Sequence, residues 1–302
     1  MSVRIKWLNR NTDYDSITIY RDTKPISQSA LPASIAVLTD GETDYLDTTA
    51  PTKTLLYYLI ALKKGTAITY SLPKPTVNIG YTGPGPQTIR QGDWRFGYFG
   101  PVTTAELFTT AELCSLCGVA SPASVTGFTW HKFAFNGKIL FFSNAHVSAA
   151  VGWNLLYSKG LVFGVDGDGP TGHSNPPVNQ MKRVAKGDDL FIVRLVRSNN
   201  TPGYVQGTQD VTNGVDVAEY ALIHGIRKST TGAANPLLGD ITALMPVVAT
   251  QAPAAEFQAG ALTQGCNHAG ASQWGMNVTN PLNCPRNGTT HAWRPILEYV
   301  IP

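Results

Sequence analysis

The sequence predicts a mainly β protein in which a small N-terminal β-sandwich is followed by a β-rich α+β domain. Polar and apolar residues alternate in Ser16–Arg21, as in a half-buried strand. The run Leu55–Leu62 is dense in aromatic and aliphatic residues, as in a central strand. Pro, Asp and Gly separate these runs and recur along the later chain. This combination favours short strands joined by turns.

The length of 302 residues allows two or three domains, and the composition divides the chain into two. We place the sandwich in residues 1–72 and the β-rich domain in residues 93–302. Between them, residues 73–92 concentrate prolines and glycines, which neither a helix nor a β-ladder tolerates well. This segment is therefore predicted to be a linker, stiff at Pro73–Pro75 and looser at Gly83–Pro86.

The β-rich domain contains one helix candidate and one clear hairpin. Thr103 and Glu106 have the spacing of a capping box, and Gly118 is a suitable helix end, so a helix is predicted in this stretch. Asn136 and Gly137 separate two apolar runs and accept the positive φ angles of a type I′ turn. The hairpin is therefore predicted to turn at these two residues.

Further strands are predicted in the rest of this domain. Residues 159–164 are predicted to form a strand that enters a Gly- and Pro-rich loop, and another strand is predicted within Gly187–Val196. Residues 217–226 fit a short helix or a strand, with the apolar spacing slightly in favour of a helix. The last segment, residues 291–302, is predicted to be a strand that Pro295 interrupts or places at a sheet edge.

The composition limits the classes of partner. Charged residues make up 14% of the chain, well below the roughly 25% of an average soluble domain. A weakly charged β surface is typical of proteins packed in an assembly or located outside the cell. The 23 basic and 20 acidic residues are scattered, so we expect no nucleic-acid partner and no anionic-membrane patch. No apolar run has the length of a signal peptide or a membrane span, so we expect no membrane insertion.

The four cysteines do not predict a metal site. Cys114 and Cys117 form a C-x-x-C, whereas Cys266 and Cys284 are too far apart for the paired short spacings of structural zinc. Cys114 and Cys117 fall among leucines on the predicted helix, so at least one is expected in the core. A disulfide between Cys266 and Cys284 stays open as an alternative.

Other residues with chemical potential also favour structural roles. Asp166 and Asp168 begin like a calcium-binding loop, but the later bidentate acid is missing, which favours a Gly/Asp turn. No nucleophile signature surrounds a serine or cysteine, so the histidines are expected to be exposed or satisfied in the core. They include His131, His146, His268 and His291. Five dispersed tryptophans are expected to anchor cores: Trp94, Trp130, Trp153, Trp274 and Trp293. We predict no catalytic, cofactor-binding or metal-binding residue and no cofactor.

The first quarter of the chain resembles a fibronectin type III or immunoglobulin-like domain. The matching residues are Trp7 at the end of the first strand, Ile19–Arg21 in the next, Tyr45–Asp47 before a loop, and Tyr57 with Tyr58. The resemblance implies a two-sheet sandwich whose work is display or spacing.

The β-rich domain resembles a family of tailed-bacteriophage virion proteins. The segments that carry this resemblance are Trp130–Ser143, Gly152–Gly164, Gly187–Val196 and Ala292–Val300. The closing motif with Trp293, Arg294 and Pro295 is the most specific part. Its indole is expected to fill a core, and its guanidinium to bind carbonyls or an acid and fix the last strand. The same closing strand also resembles the C-type-lectin-like fold of some phage receptor-binding proteins.

These resemblances imply a noncatalytic structural component of a bacteriophage virion: a tail, collar or head-surface fibre or decoration subunit. Such a protein is assembled in the host cytoplasm and resides in the virion. The expected partners are other virion proteins, further copies of the chain in a homo-oligomer, and a host-surface glycan or protein.

Two alternatives belong to other classes. A virion-associated glycan or peptidoglycan hydrolase would need paired carboxylates. The acids of the second domain show no assignable pairing; they include Asp188, Asp189, Asp216, Glu219, Asp240 and Glu256. A carbohydrate-binding receptor-recognition module would be centred on Trp274 and the loop around Asn277 and Asn280.

Overall fold

The computed structural model describes residues 2–8, 13–120, 122–169, 176–195, 261–262, 275–276 and 291–302. In these ranges the protein is mainly β, and its strands pair in antiparallel sheets. The chain divides into two compact units. The first comprises residues 1–82 with 93–95, and the second comprises residues 83–92 with 96–302. The mainly β fold class predicted from the sequence is confirmed.

The described residues of the first unit form seven strands. They are β1 (Val3–Lys6), β2 (Ser16–Asp22), β3 (Ser34–Leu38), β4 (Asp44–Asp47), β5 (Leu55–Lys64), β6 (Ala67–Tyr70) and β7 (Lys74–Val77). β1 pairs with β4, while the larger sheet has the order β3-β2-β5-β6. β7 also pairs with β5, beyond the stretch of β5 that β6 occupies, so β6 and β7 follow one another along the same edge. The strands predicted at Ser16–Arg21 and Leu55–Leu62 are confirmed as parts of β2 and β5.

The core of this unit lies between its two sheets. Val3 of β1 packs with Ile17 and Ile19 of β2 and with Leu56 and Tyr58 of β5, and all five side chains are buried. Successive residues of a strand point to opposite faces, so the odd-numbered residues of β5 face away from this core. They form a second cluster, in which Tyr57 and Leu59 pack with Ile26.

The segment predicted as a linker contains two strands. β7 occupies residues 74–77 and pairs with β5, and β8 (Gln91–Gly92) pairs with a strand of the second unit. Pro75 is buried within β7, and a proline is compatible with a strand at the edge of a sheet, where its missing N–H is not needed. Residues 93–95, placed in the second domain by composition, belong to the first unit.

The second unit is built on a seven-stranded sheet of order β13-β14-β18-β11-β10-β9-β8. Its further elements are β9 (Phe96–Val102), α1 (Thr110–Cys117), β10 (Trp130–Phe135), β11 (Lys138–Ser143), β12 (Ser148–Val151), α2 (Trp153–Ser158), β13 (Arg183–Lys186), β14 (Asp189–Arg194), β15 (Ala261–Leu262), β16 (Gly275–Met276), β17 (His291–Trp293) and β18 (Ile296–Tyr299). Two short pairs, β12 with β17 and β15 with β16, lie outside this sheet.

The hairpin and the closing strand agree with the sequence predictions. Asn136 (φ 47°) and Gly137 (φ 81°) connect β10 to β11 with the two positive φ angles of a type I′ turn. Gly187–Val196 contains β14. Pro295 lies between β17 and β18, so the predicted interruption of the last strand is confirmed.

The helix begins later than the Thr103 box predicts. Thr103 and Glu106 do form a reciprocal box, but it closes a single turn. Thr109 then takes an extended conformation and caps α1 through a second box with Glu112. The sequence Thr-Thr-Ala-Glu-Leu occurs twice, at 103–107 and 109–113, and the second cap ends the first turn. The predicted end at Gly118 is confirmed, with φ 64°.

The strand predicted at residues 159–164 is absent. Gly160 and Gly164 have positive φ angles and bend the chain on either side of three buried apolar residues. The main chain is instead satisfied by single bonds, such as Gly164 N–H to the carbonyl of Gln180 and Leu195 N–H to that of Val162. Residues 217–226 lie outside the described ranges.

Candidate contact surface

The first unit is an uneven sandwich, because its small sheet covers only part of the large one. The small sheet has two strands, β1 and β4, whereas the large sheet has four rows, counting β6 and β7 as one. Where the small sheet ends, a groove of about 270 Å³ opens beside β1. We call it the β1 groove. It is bounded by residues 3–7 on one side, by Tyr58 and Ile60 of β5 below, and by residues 71–76 on the other side.

The floor of the β1 groove is apolar and incompletely covered. Ile60 points to the inner face of the central strand β5, yet it is only half-buried, whereas its neighbours Tyr58 and Leu59 are 3% and 0% exposed. Leu72 at the rim is 87% exposed. An inward-facing isoleucine on a central strand normally lies under an opposing strand, so the groove has the character of an unfilled strand position.

One edge of β1 is open towards the groove. Within the described ranges, β1 pairs only with β4, in a register that sets Ile5 opposite Tyr45. The Trp7 N–H donates to the carbonyl of Thr43 at 3.1 Å, which marks a hydrogen-bonded pair. Such pairs alternate along an antiparallel ladder, so Val3 and Ile5 also direct their main-chain groups to β4. The N–H and C=O groups of Arg4 and Lys6 therefore face the open edge.

The charged side chains around the groove are basic. Arg4, Lys6 and Lys74 are exposed and line the groove, and none of its described lining residues is acidic. Asp44 lies 3.5 Å from Arg4, but both side chains are about half exposed, so the pair is screened by water. The groove therefore combines an apolar floor, main-chain hydrogen-bonding groups and a positive rim.

A buried carboxylate holds β4, and with it β1, against the large sheet. The Asp47 side chain is fully buried and accepts from the Tyr58 hydroxyl at 2.7 Å and from Arg21 Nη1 at 2.6 Å. Thr49 donates to it through its N–H and its hydroxyl. Burial raises the pKa of Asp47, but the hydrogen bonds from Tyr58, Thr49 and Arg21 outweigh burial and hold this pKa below its ordinary value. The ionised carboxylate thus fixes the wall of the groove.

Lys132 is the most unusual titratable residue of the second unit. It is fully buried in β10, and its Nζ donates to the carbonyls of Gly83, Pro84 and Pro86 at 3.0, 2.9 and 2.8 Å. Burial lowers the pKa of Lys132 to about 7. The negative charges of Asp189 and Glu106 act on this pKa in the opposite direction. Lys132 therefore works as an internal clamp on the Gly/Pro loop.

His131 and the cysteines lie in the core. His131 is 2% exposed, and its Nδ1 is 2.9 Å from the Tyr98 hydroxyl. Burial, with a smaller contribution from the charge of Arg294, lowers the pKa of His131 to about 3. Burial raises the pKa of Cys114 to about 11 and that of Cys117 to about 12, so both thiols stay protonated at neutral pH. The prediction that at least one of these cysteines is in the core is confirmed.

A partly buried ion-pair network joins three neighbouring strands. Glu298 of β18 accepts from Arg194 Nη2 of β14 at 2.8 Å and from Lys138 Nζ of β11 at 2.6 Å. Burial raises the pKa of Glu298, but the charges of Arg194 and Lys138 outweigh it and the net shift is downward. The network crosslinks the centre of the sheet.

The Asp166 region is a bent loop without regular secondary structure. Asp166 Oδ1 accepts from Asn179 Nδ2 at 2.7 Å, and the carbonyl of Asp168 accepts from the Tyr157 hydroxyl at 2.9 Å. In the described part of the chain, no three His, Cys, Asp or Glu side chains converge as metal ligands would. Asp188 lies in the turn between β13 and β14, and Asp189 is the first residue of β14.

Among the tryptophans, Trp130 and Trp293 are fully buried and Trp94 is half-buried. The Trp130 indole donates to the carbonyl of Phe108 at 2.7 Å. The core role predicted for Trp293 is confirmed, and the Arg294 guanidinium lies over the ring of Phe142 at 4.9 Å.

Several predicted residues lie outside the described ranges: Asp216, Glu219, Asp240, Glu256, Cys266, His268, Trp274, Asn277, Asn280 and Cys284. Burial lowers the pKa of His146, and His291 is the first residue of β17.

Sequence reasoning missed the β1 groove and the Lys132 clamp. The clamp had a signal in the sequence, since a lysine lies inside the otherwise apolar and aromatic run of β10.

No helix in the described part of the chain is long and apolar enough to cross a membrane. Comparison of the chain with protein-family models, with curated proteins and with solved structures gives no match.

Proposed function

We propose that this protein is a noncatalytic structural component of a bacteriophage virion, in which it makes assembly contacts as a tail, collar or head-surface fibre or decoration subunit. The observation that carries a contact function is the β1 groove, where an open strand edge stands over an apolar floor. Such an edge binds another polypeptide through main-chain hydrogen bonds. The assignment to a virion rests on the resemblance of the second domain.

The strand pairing supports a fibronectin type III or immunoglobulin-like first unit. In such sandwiches the strands G, F, C and C′ form one sheet, and B pairs with E in the other. The larger sheet of this protein has a matching order: β6 and β7 share one edge, followed by β5, β2 and β3. In the small sheet, β1 pairs with β4. With this assignment, β1 corresponds to strand B, and the groove lies where strand A would pair with it.

The second unit supports the proposal through the placement of its motifs. Trp130–Ser143 forms the hairpin β10–β11, Ala292–Val300 contains β18, and Gly187–Val196 contains β14. These four strands are consecutive in the sheet order, with β18 between β11 and β14. Three of the four segments of the resemblance therefore lie side by side in one sheet, whereas Gly152–Gly164 contains α2 and lies outside this sheet.

The test is to locate the chain in particles. Antibodies against the purified chain are applied to phage particles from a lysate of cells that carry its gene, and gold-labelled particles are imaged by electron microscopy. We expect label at one fixed position on the particle. Label confined to particle-free material would refute the virion assignment.

A second measurement separates the classes of function. The purified protein is incubated with cell-wall and capsular polysaccharide from the host strain. Neither cleavage nor retention is expected for an assembly protein. Released fragments would identify a hydrolase, and retention without cleavage would identify a carbohydrate-binding module.

A further inference from the structure

We propose that the β1 groove binds an extended acidic strand of another polypeptide, which adds to the free edge of β1 and completes the small sheet. The inference rests on the contact function proposed above and names the chemistry of the partner. It is carried by three features of the groove: the unpaired edge, the uncovered floor and the charge of the rim.

The unpaired edge determines the conformation of the partner. The main-chain groups of Arg4 and Lys6 face the groove, and two residues separated by one position present two N–H donors and two carbonyl acceptors in strand geometry. An extended segment matches this spacing and satisfies all four groups. A helix presents no main-chain groups to a neighbour along its length, so it leaves the edge unsatisfied.

The floor determines the side-chain pattern of the partner. In a strand, alternate side chains point to one face. Those that face inward would cover Ile60, which lies at the bottom of the groove beside the buried ring of Tyr58. Apolar residues at every second position therefore fit the inner face of the bound strand, and the intervening residues point to solvent on the side of Arg4 and Lys6.

The rim determines the charge of the partner. Arg4, Lys6 and Lys74 give the lining three positive charges and no negative one. On the outer face of a sheet, side chains of opposite charge on adjacent strands stabilise each other, and like charges destabilise the pairing. Acidic residues at the outward positions of the partner strand are thus favoured over basic ones, which also gives the groove a basis for selection.

The test uses the full-length protein and a defined probe, an eight-residue peptide of alternating valine and glutamate labelled for fluorescence anisotropy. Two control peptides have the same length. One carries lysine in place of glutamate, and the other carries N-methyl groups on alternate residues, which remove the main-chain donors of one edge. We expect binding of the acidic peptide, binding about tenfold or more weaker for each control, and slower amide exchange at Arg4 and Lys6 in the complex.

Matched variants locate the site. Arg4→Pro removes the groove-facing N–H, and an edge strand tolerates proline there because the bonds to β4 come from Val3 and Ile5. Arg4→Ala retains that N–H. We expect the proline variant to bind the acidic peptide about tenfold more weakly than the alanine variant, and this difference measures the main-chain contribution to binding. Lys74→Glu is expected to weaken binding, whereas Lys24→Glu, on an exposed loop outside the groove, is not.

Several outcomes overturn the inference. Equal binding of all three peptides, or equal binding to Arg4→Ala and Arg4→Pro, shows that no strand adds to β1. A dimer that sedimentation detects in the unmodified protein and that Arg4→Pro abolishes shows that the groove serves a second copy of this chain instead. If the peptides fail while the chain is found in particles, only this inference falls; if the peptides bind and the chain is absent from particles, only the virion assignment falls.

Discussion

Acidification should destabilise the second unit through His131. This histidine is 2% exposed in the central strand β10 and is neutral in the folded protein, because burial lowers its pKa to about 3. In the unfolded chain its pKa returns to about 6.5. Between these two values the unfolded state binds a proton that the folded state excludes. The stabilisation is therefore complete above pH 6.5 and is lost as the pH falls towards 3.

The size of the effect follows from the two pKa values. Each pH unit in this window is worth about 1.4 kcal/mol, so the full interval corresponds to about 5 kcal/mol and the interval from pH 6.5 to 4.5 to about 3 kcal/mol. This is a large part of the 5–15 kcal/mol by which domains are typically stable. A single buried imidazole is thus expected to determine much of the acid sensitivity of this unit.

The assay compares the wild type with His131→Asn at pH 7.0 and 4.5. Asparagine keeps a polar atom near the Tyr98 hydroxyl and does not titrate. Urea-dependent hydrogen exchange of peptides covering residues 130–143 reports the free energy of unfolding of this unit alone. We expect the wild type to lose about 3 kcal/mol between the two pH values and the variant to lose much less, since any cavity cost is equal at both pH values.

Equal losses in the two proteins would refute this reasoning. Glu298 also contributes in acid: its pKa is lowered in the folded protein, so its stabilisation is complete above the ordinary pKa of a glutamate and is lost as the pH falls below that value. It is present in both proteins and therefore cancels from the comparison. The NMR signal of the His131 imidazole is identified by its absence from the variant. Titration of this signal in the wild type then measures the pKa of His131 directly.

Three further predictions concern the packing of the second unit. Lys132→Met should destabilise it by about 1–3 kcal/mol in urea unfolding, because three loop carbonyls lose their donor while the cost of burying an ammonium is removed; a variant as stable as the wild type would contradict the clamp. Gly85→Ala should cost about 1–3 kcal/mol, since a Cβ at φ +77° would collide with Val102, and Val102→Ala should restore part of the loss if the collision is the cause. Glu298→Gln should lower the stability by about 3–5 kcal/mol because it removes the carboxylate that faces the buried guanidinium of Arg194, and an unchanged unfolding midpoint would exclude this.

Local signals predicted the elements whose cause is local. The turn at Asn136 and Gly137 and the helix end at Gly118 depend on which residues accept a positive φ angle, and both were predictable. The helix start was misplaced because the same capping sequence occurs at Thr103 and at Thr109, and only the second is followed by a full helix. Residues 159–164 have the apolar content of a strand, but the two glycines that bound them bend the main chain out of any ladder.

The candidate site could not be predicted in the same way, because it is defined by pairing between distant strands. The alternation of Val3, Arg4 and Ile5 predicts a strand with one buried face, and this is what β1 is. Whether such a strand has one neighbour or two depends on the order of strands in the sheet, which local periodicity does not encode.

The location of the open edge has a physical consequence for the first unit as a whole. An exposed edge over an apolar floor invites indiscriminate pairing, and proteins oppose this with charged residues at the edge. The two residues of β1 whose main chain is open, Arg4 and Lys6, both carry positive side chains, so a second copy of β1 is repelled in direct register. The same charges attract an acidic strand. Protection against self-association and selection of a partner therefore have a single origin in these two residues, and replacing both with threonine should increase self-association while it weakens binding of the acidic peptide.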